Sequence, residues 1–180
     1  MVATLTPVQV DDLIEQAVIE AAVGLFLSCD VCLEYASDTA AGAVVSDIEL
    51  CGIVGFLGRE ISGTLLLAVT SEPLTASNRF AARGRDWMAE LANQLFGRIK
   101  NRLLRRGLQL FATPPAIIGG DHLVASTRRA HCQPIVLGTA NGGRVCIWVD
   151  YVLKSGLPLA LSDIEPGARI PNEGEILFFY

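Results

Sequence analysis

Basic residues are in short supply: 14 Lys and Arg stand against 19 Asp and Glu, which leaves a net charge of −5 and a pI near 5.0. General nucleic-acid binding needs a basic footprint on the domain, and this balance argues against one. The basic cluster that does exist, Arg98, Lys100, Arg102, Arg105 and Arg106, is not interleaved with base-stacking aromatics, and its last members suit the negative end of a helix. Histidine is scarcer still, with two in 180 residues, and the five cysteines are an odd number. Cys29-x-x-Cys32 has the spacing of half a zinc site, but Cys51, Cys132, Cys146, His122 and His131 are scattered and supply no second ligand pair. The motif closes a helix, whereas a thioredoxin-like redox pair opens one. We expect partly buried thiols in a reduced, cytoplasmic protein with no metal or cofactor of its own. Long apolar runs are missing too. No basic segment with a cleavage site precedes an apolar one, and the most apolar N-terminal run, Ala21 to Cys29, is too short to span a bilayer, so no membrane insertion is expected. The chain has no Gly-rich phosphate loop, long internal repeat or low-complexity tract.

What is present suits one core: 180 residues with 51% hydrophobic content. Asp11 and Asp12 offer an N-cap and first-turn charge, and apolar pairs recur about every four residues from Leu13/Ile14 to Leu25/Phe26, which predicts a long amphipathic helix over 10–28. From Ala43 the period becomes that of strands. Val44 to Leu50, Ile53 to Leu57 and Ile61 to Val69 read as apolar runs, with Gly58-Arg59-Glu60 as a turn. Residues 71–85 are polar and predict a short helix after Pro73. Leu108–Thr113, Ile117–Ile118, Leu123–Thr127, Gln133–Thr139 and Arg144–Leu153 read as further strands, with Asn141-Gly142-Gly143 a hairpin turn. We read residues 1–154 as one domain. Residues 155–180, rich in Pro, Gly and acids and ending in Ile176-Leu177-Phe178-Phe179-Tyr180, are expected to dock on it as an extension.

The stretch Asp86 to Leu103 organises the rest. At about 100° per residue, Met88, Leu91, Ala92, Leu95, Phe96, Ile99 and Leu103 form one apolar stripe. Asp86, Glu90, Asn93, Gly97, Lys100 and Asn101 gather opposite, with Glu90 and Asn93 about 60° apart on the polar face. Polar pairs three residues apart are common on helices, so this pair alone identifies nothing. Gly97 is less ordinary, because mid-helix glycine costs about 1 kcal/mol relative to alanine and leaves a bare patch beside a carboxylate and a carboxamide.

The block Glu90-Leu-Ala-Asn93-Gln-Leu-Phe-Gly97-Arg-Ile-Lys100, followed by Leu108-Gln-Leu-Phe-Ala-Thr-Pro114-Pro115-Ala-Ile-Ile-Gly119-Gly120, resembles the CheX branch of the CheX/CheC chemotaxis phosphatases. There a helix bearing Glu-x-x-Asn, then Gly and Lys, leads into a strand ending in Pro and Gly. The likeness is clearest over residues 83–121 and rests on element order alone over about 8–154. A two-site relative would repeat Glu-x-x-Asn on a related helix, but here Glu15 is followed by Val18 and Glu20 by Val23, so one site is expected. The hydrophobic helix with its own glycine that relatives place near residues 71–85 has no counterpart.

The resemblance implies an α+β fold, a mostly antiparallel sheet of about six strands packed against long helices. It also implies hydrolysis of the aspartyl phosphate of a CheY-like receiver domain, with Glu90 and Asn93 catalytic, Asp86, Gly97 and Lys100 touching the partner, Mg²⁺ supplied on the receiver, and pairing as a homodimer. The alternative is a non-catalytic receiver-binding or scaffold protein, like the middle domain of the flagellar switch protein, which shares the architecture and lacks the pair.

Overall fold

The computed structural model describes residues 6–35, 45–70, 84–125, 132 and 134–154, and in it the first helix begins before the acidic pair that the sequence offered as its cap. Helix α1 spans Pro7–Leu27 with Thr6 as N-cap. The Gln9 amide donates to Thr6 Oγ1 (3.4 Å) while the Thr6 amide donates to Gln9 Oε1 (2.9 Å), a reciprocal capping box reinforced by Pro7 in the first turn. Asp11 instead accepts a hydrogen bond from the Tyr151 hydroxyl, which ties α1 to the last strand. The helix ends in a Schellman closure, Val31 N–H to Phe26 O (2.9 Å) and Asp30 N–H to Leu27 O (3.1 Å), with Asp30 at φ 64° in the left-handed position that glycine usually takes. Cys29, half-buried, and Cys32, exposed, lie in this exit as free thiols.

The strands are β1 (Glu34–Tyr35), β2 (Val45–Gly58), β3 (Ile61–Val69), β4 (Leu110–Ala112), β5 (Ala116–Ala125), β6 (Ile135–Gly138) and β7 (Arg144–Leu153), with helix α2 (Gly84–Leu104) between β3 and β4. Among the described residues they form one seven-stranded sheet ordered β1-β6-β7-β3-β2-β4, with β5 also on β2 and every pairing antiparallel. The two apolar runs on either side of Cys51-Gly52 are one continuous strand, because a glycine interrupts an apolar pattern without interrupting the ladder. Ile117–Ile118 and Leu123 onward likewise join in β5, and β1 is one strand more than the sequence suggested.

Strands β4 and β5 share the outer edge of β2, interrupted at Thr113-Pro114-Pro115. Proline cannot donate to a ladder, and here Thr113 holds the edge together: its amide donates to Gly55 O (2.8 Å) and its hydroxyl accepts from the Gly55 amide (3.0 Å). At the β6–β7 hairpin the Thr139 hydroxyl accepts from the Gly143 amide (3.0 Å) and Gly142 turns the chain at φ 86°, so the glycine pair acts as expected within a longer loop.

Helices α1 and α2 pack on one face of the sheet. Gly24 faces Arg98 and Glu20 faces Arg102, which makes α1 and α2 antiparallel neighbours. The main core joins Val18, Leu25 and Phe26 of α1, Met88, Leu95 and Phe96 of α2, and Val54, Leu65 and Ile147 of the sheet. Helix α2 comes closest to the sheet at Gly52, where a Cβ would lie 2.9 Å from Ala92 Cβ. A smaller cluster on the reverse face holds Ile48, Cys51, Ala68, Val136, Cys146 and Trp148. The short helix expected after Pro73 and the extension 155–180 fall outside the described residues.

Candidate functional site

Helix α2 starts with Asp86 in its first turn and stops in a second Schellman closure. Leu108 N–H reaches Leu103 O (3.0 Å) and Gly107 N–H reaches Leu104 O (2.9 Å), with Gly107 at φ 81°. Its buried residues are Trp87, Met88, Leu91, Ala92, Leu95, Phe96, Ile99 and Leu103. Seven of these are the predicted stripe. Trp87 is the addition, and it widens the buried arc. That left the polar face narrower than a single stripe implies, yet Glu90 and Asn93 still lie in the open part, both exposed.

Asp86 is exposed one turn before Glu90, and Lys100 is half-buried two turns after Asn93. Between them, a Cβ placed on Gly97 would meet nothing within 4 Å among the described residues. The protein's own packing therefore does not demand glycine at 97, and the strip of backbone there is accessible from outside. All five residues read from the sequence as the site, Asp86, Glu90, Asn93, Gly97 and Lys100, fall on one side of one helix.

The residue the sequence reading passed over is Gln94. It is exposed, and its Nε2 donates to Glu90 Oε1 at 2.6 Å, which holds one carboxylate oxygen in a fixed direction. The signal was available, since side chains four apart on a helix are neighbours. Chemically the ridge offers an oriented carboxylate that can accept from a cation and a carboxamide that can both donate and accept, both on exposed side chains. Such a pair can position a water or a partner's charged group. It suits chemistry completed by a second molecule.

Among the described residues no three His, Cys, Asp or Glu side chains gather as metal ligands, and no helix is long and apolar enough to cross a membrane. Burial raises the thiols of Cys51 and Cys146 to about 11, the latter with a small opposing pull from Arg144, so neither is a ready nucleophile.

No family model matches this chain, and no curated protein matches it by sequence. Solved structures do. A chemotaxis protein CheX from Desulfovibrio desulfuricans is similar at a TM-score of 0.63 and 15% identity, covering 78% of this chain and 99% of that one. Chemotaxis protein CheX from Vibrio vulnificus is similar at 0.61 and 14%, covering 76% and 95%. A CheX–CheY–BeF3–Mg complex from Borrelia burgdorferi is similar at 0.53 and 15%, covering 78% and 96%. The α+β architecture expected from the sequence, with its antiparallel sheet and two long helices, is thus the architecture of the CheX/CheC-like chemotaxis proteins.

Proposed function

We propose that this chain binds a phosphorylated receiver domain through the outer face of α2 and hydrolyses its aspartyl phosphate. The observation that carries the reading is the joint exposure of Glu90 and Asn93 on a helix whose other side is locked into the core. The similarity to a CheX solved together with CheY supports a partner of the receiver type.

An acyl phosphate is already activated, and a receiver brings its own Mg²⁺ and lysine to neutralise the phosphoryl oxygens. The helper then has one task, to place a water in line with the bond that breaks. Asn93 inserts beside the phosphoryl group, and its carboxamide holds that water by donating and accepting. Water adds to phosphorus, the phosphorus–carboxylate bond breaks, and the products are the free aspartate and inorganic phosphate. Glu90, steadied by Gln94, accepts from the receiver's lysine and fixes the register of docking. The open backbone at Gly97 lets the partner lie close, with Asp86 and Lys100 at the two ends of the contact. Positioning of this kind lowers a barrier by several kcal/mol without a base of shifted pKa.

The test is phosphate release from a phosphorylated receiver over a range of receiver concentrations. Asn93→Ala should abolish most of the acceleration and leave binding to a stable phosphoryl-mimic receiver nearly unchanged, because the lost interaction belongs to the transition state. Glu90→Ala should weaken docking by about 1–3 kcal/mol and slow turnover chiefly at low receiver concentration. A wild type that binds its receiver without accelerating phosphate loss would make the chain a scaffold, and full activity in Asn93→Ala would exclude this mechanism.

A further inference from the structure

Three arginines and one carboxylate meet in a cleft of about 160 Å³ between α1 and the C-terminal end of α2. Helix α1 supplies Leu13, Gln16, Ala17 and Glu20, one stripe at helical spacing, and α2 with its exit supplies Arg102, Arg105 and Arg106. Glu20 is already engaged at both oxygens, by Gln16 Nε2 (3.1 Å) and by Arg102 Nε (3.4 Å). Among the described residues neither Arg105 nor Arg106 has a carboxylate within 4.0 Å. The cleft therefore holds two positive charges in excess, in a chain whose net charge is −5. Arginines commonly gather at helix ends to serve the last carbonyls. Here backbone amides serve several of them: Arg105 N–H reaches Asn101 O (3.3 Å), Arg106 N–H reaches Leu103 O (2.9 Å) and Gly107 N–H reaches Leu104 O (2.9 Å). The guanidinium groups of Arg105 and Arg106 are left for something else.

We infer that this cleft binds a small phosphate monoester, with its dianionic phosphate between Arg105 and Arg106 and its organic part against Leu13 and Ala17. A phosphate offers more oxygens than a carboxylate and can accept from more than one guanidinium at once, so a cleft lined by Arg102, Arg105 and Arg106 suits it. The volume is that of about five waters, enough for a phosphate and a small ring. The site is separate from the Glu90/Asn93 ridge, three turns further along α2 and on its α1-facing side, so the inference does not depend on the proposed hydrolysis.

Calorimetric titration of the full chain with phenyl phosphate, at constant ionic strength, tests it. We expect one saturable site, several-fold tighter for phenyl phosphate than for inorganic phosphate or benzoate. Arg105→Gln/Arg106→Gln should weaken it at least tenfold with an unchanged melting temperature, and Arg106→Gln alone, at an exposed position, should lose part of the affinity if the double variant folds poorly. Arg59→Gln, whose side chain is 80% exposed in the β2–β3 turn, should bind as wild type. Absence of saturation, equal binding of benzoate, equal weakening by Arg59→Gln, or undiminished binding in both cleft variants would overturn the proposal.

Discussion

Gly97 shows how much one absent side chain can reveal. In mid-helix it costs about 1 kcal/mol relative to alanine, and nothing among the described residues lies within 4 Å of where its Cβ would be. Gly97→Leu should therefore fold normally and melt slightly higher, while binding to a receiver falls sharply because the new side chain occupies the docking surface. Thermal unfolding beside a receiver titration checks both halves, and parallel loss of stability and binding would make Gly97 a packing residue. The reverse-face thiols give a prediction of another kind. Burial raises Cys51 and Cys146 from 9.0 to about 11, so the folded state holds their protons more tightly than the unfolded state does. The stability this contributes is intact below pH 9 and is lost as pH climbs toward 11, at up to about 1.4 kcal/mol per pH unit for each thiol. Tyr151, raised by burial and then by Asp11, adds to the loss above pH 10. Denaturant midpoints measured from pH 8 to 11 should fall steeply in wild type and less steeply in Cys51→Ala/Cys146→Ala; identical slopes would sink the argument.

At the scale of elements, the contact of α2 with β2 fixes the height at which the ridge stands. Gly52 permits it, since a Cβ there would lie 2.9 Å from Ala92 and 3.4 Å from Met88. Gly52→Val should destabilise by about 1–3 kcal/mol through overpacking and lift α2 from the sheet, so that receiver binding drops although no docking residue has changed. A denaturation curve with an unshifted midpoint would show that the interface yields at no cost. These elements were unequally legible in the sequence. The ridge could be read almost completely, because a helix puts its polar face on display at a period of 3.6 without reference to anything else. Trp87 could not, since it stands at the margin of the apolar stripe, where the period alone does not decide burial. Strand β2 was divided at Gly52, where the apolar alternation breaks and the ladder does not, and β1, two residues long, is too short to leave a periodic trace. Helix α1 starts at Pro7 and not at the acidic pair because Thr6-Pro7-x-Gln9 is the stronger capping signal.

For the molecule as a whole, the consequence is a division between what folds and what acts. Core residues from both helices and one sheet face supply the apolar burial, and the five candidate site residues lie on the open side of α2. Glu90→Ala/Asn93→Ala should accordingly unfold along the wild-type curve, within about 0.5 kcal/mol as for ordinary surface substitutions, while losing receiver-dependent phosphate release. A midpoint shift well beyond that would show that the ridge contributes to the fold. The same arrangement bears on descent. Active sites commonly store strain or bury charge, and stability then holds their residues in place against drift. A pair standing on a surface helix has no such anchor, and on the proposed function only selection for that activity retains it. On the proposed function, catalyst and adaptor on this scaffold are one substitution apart, at Asn93, with no folding barrier between them in either direction.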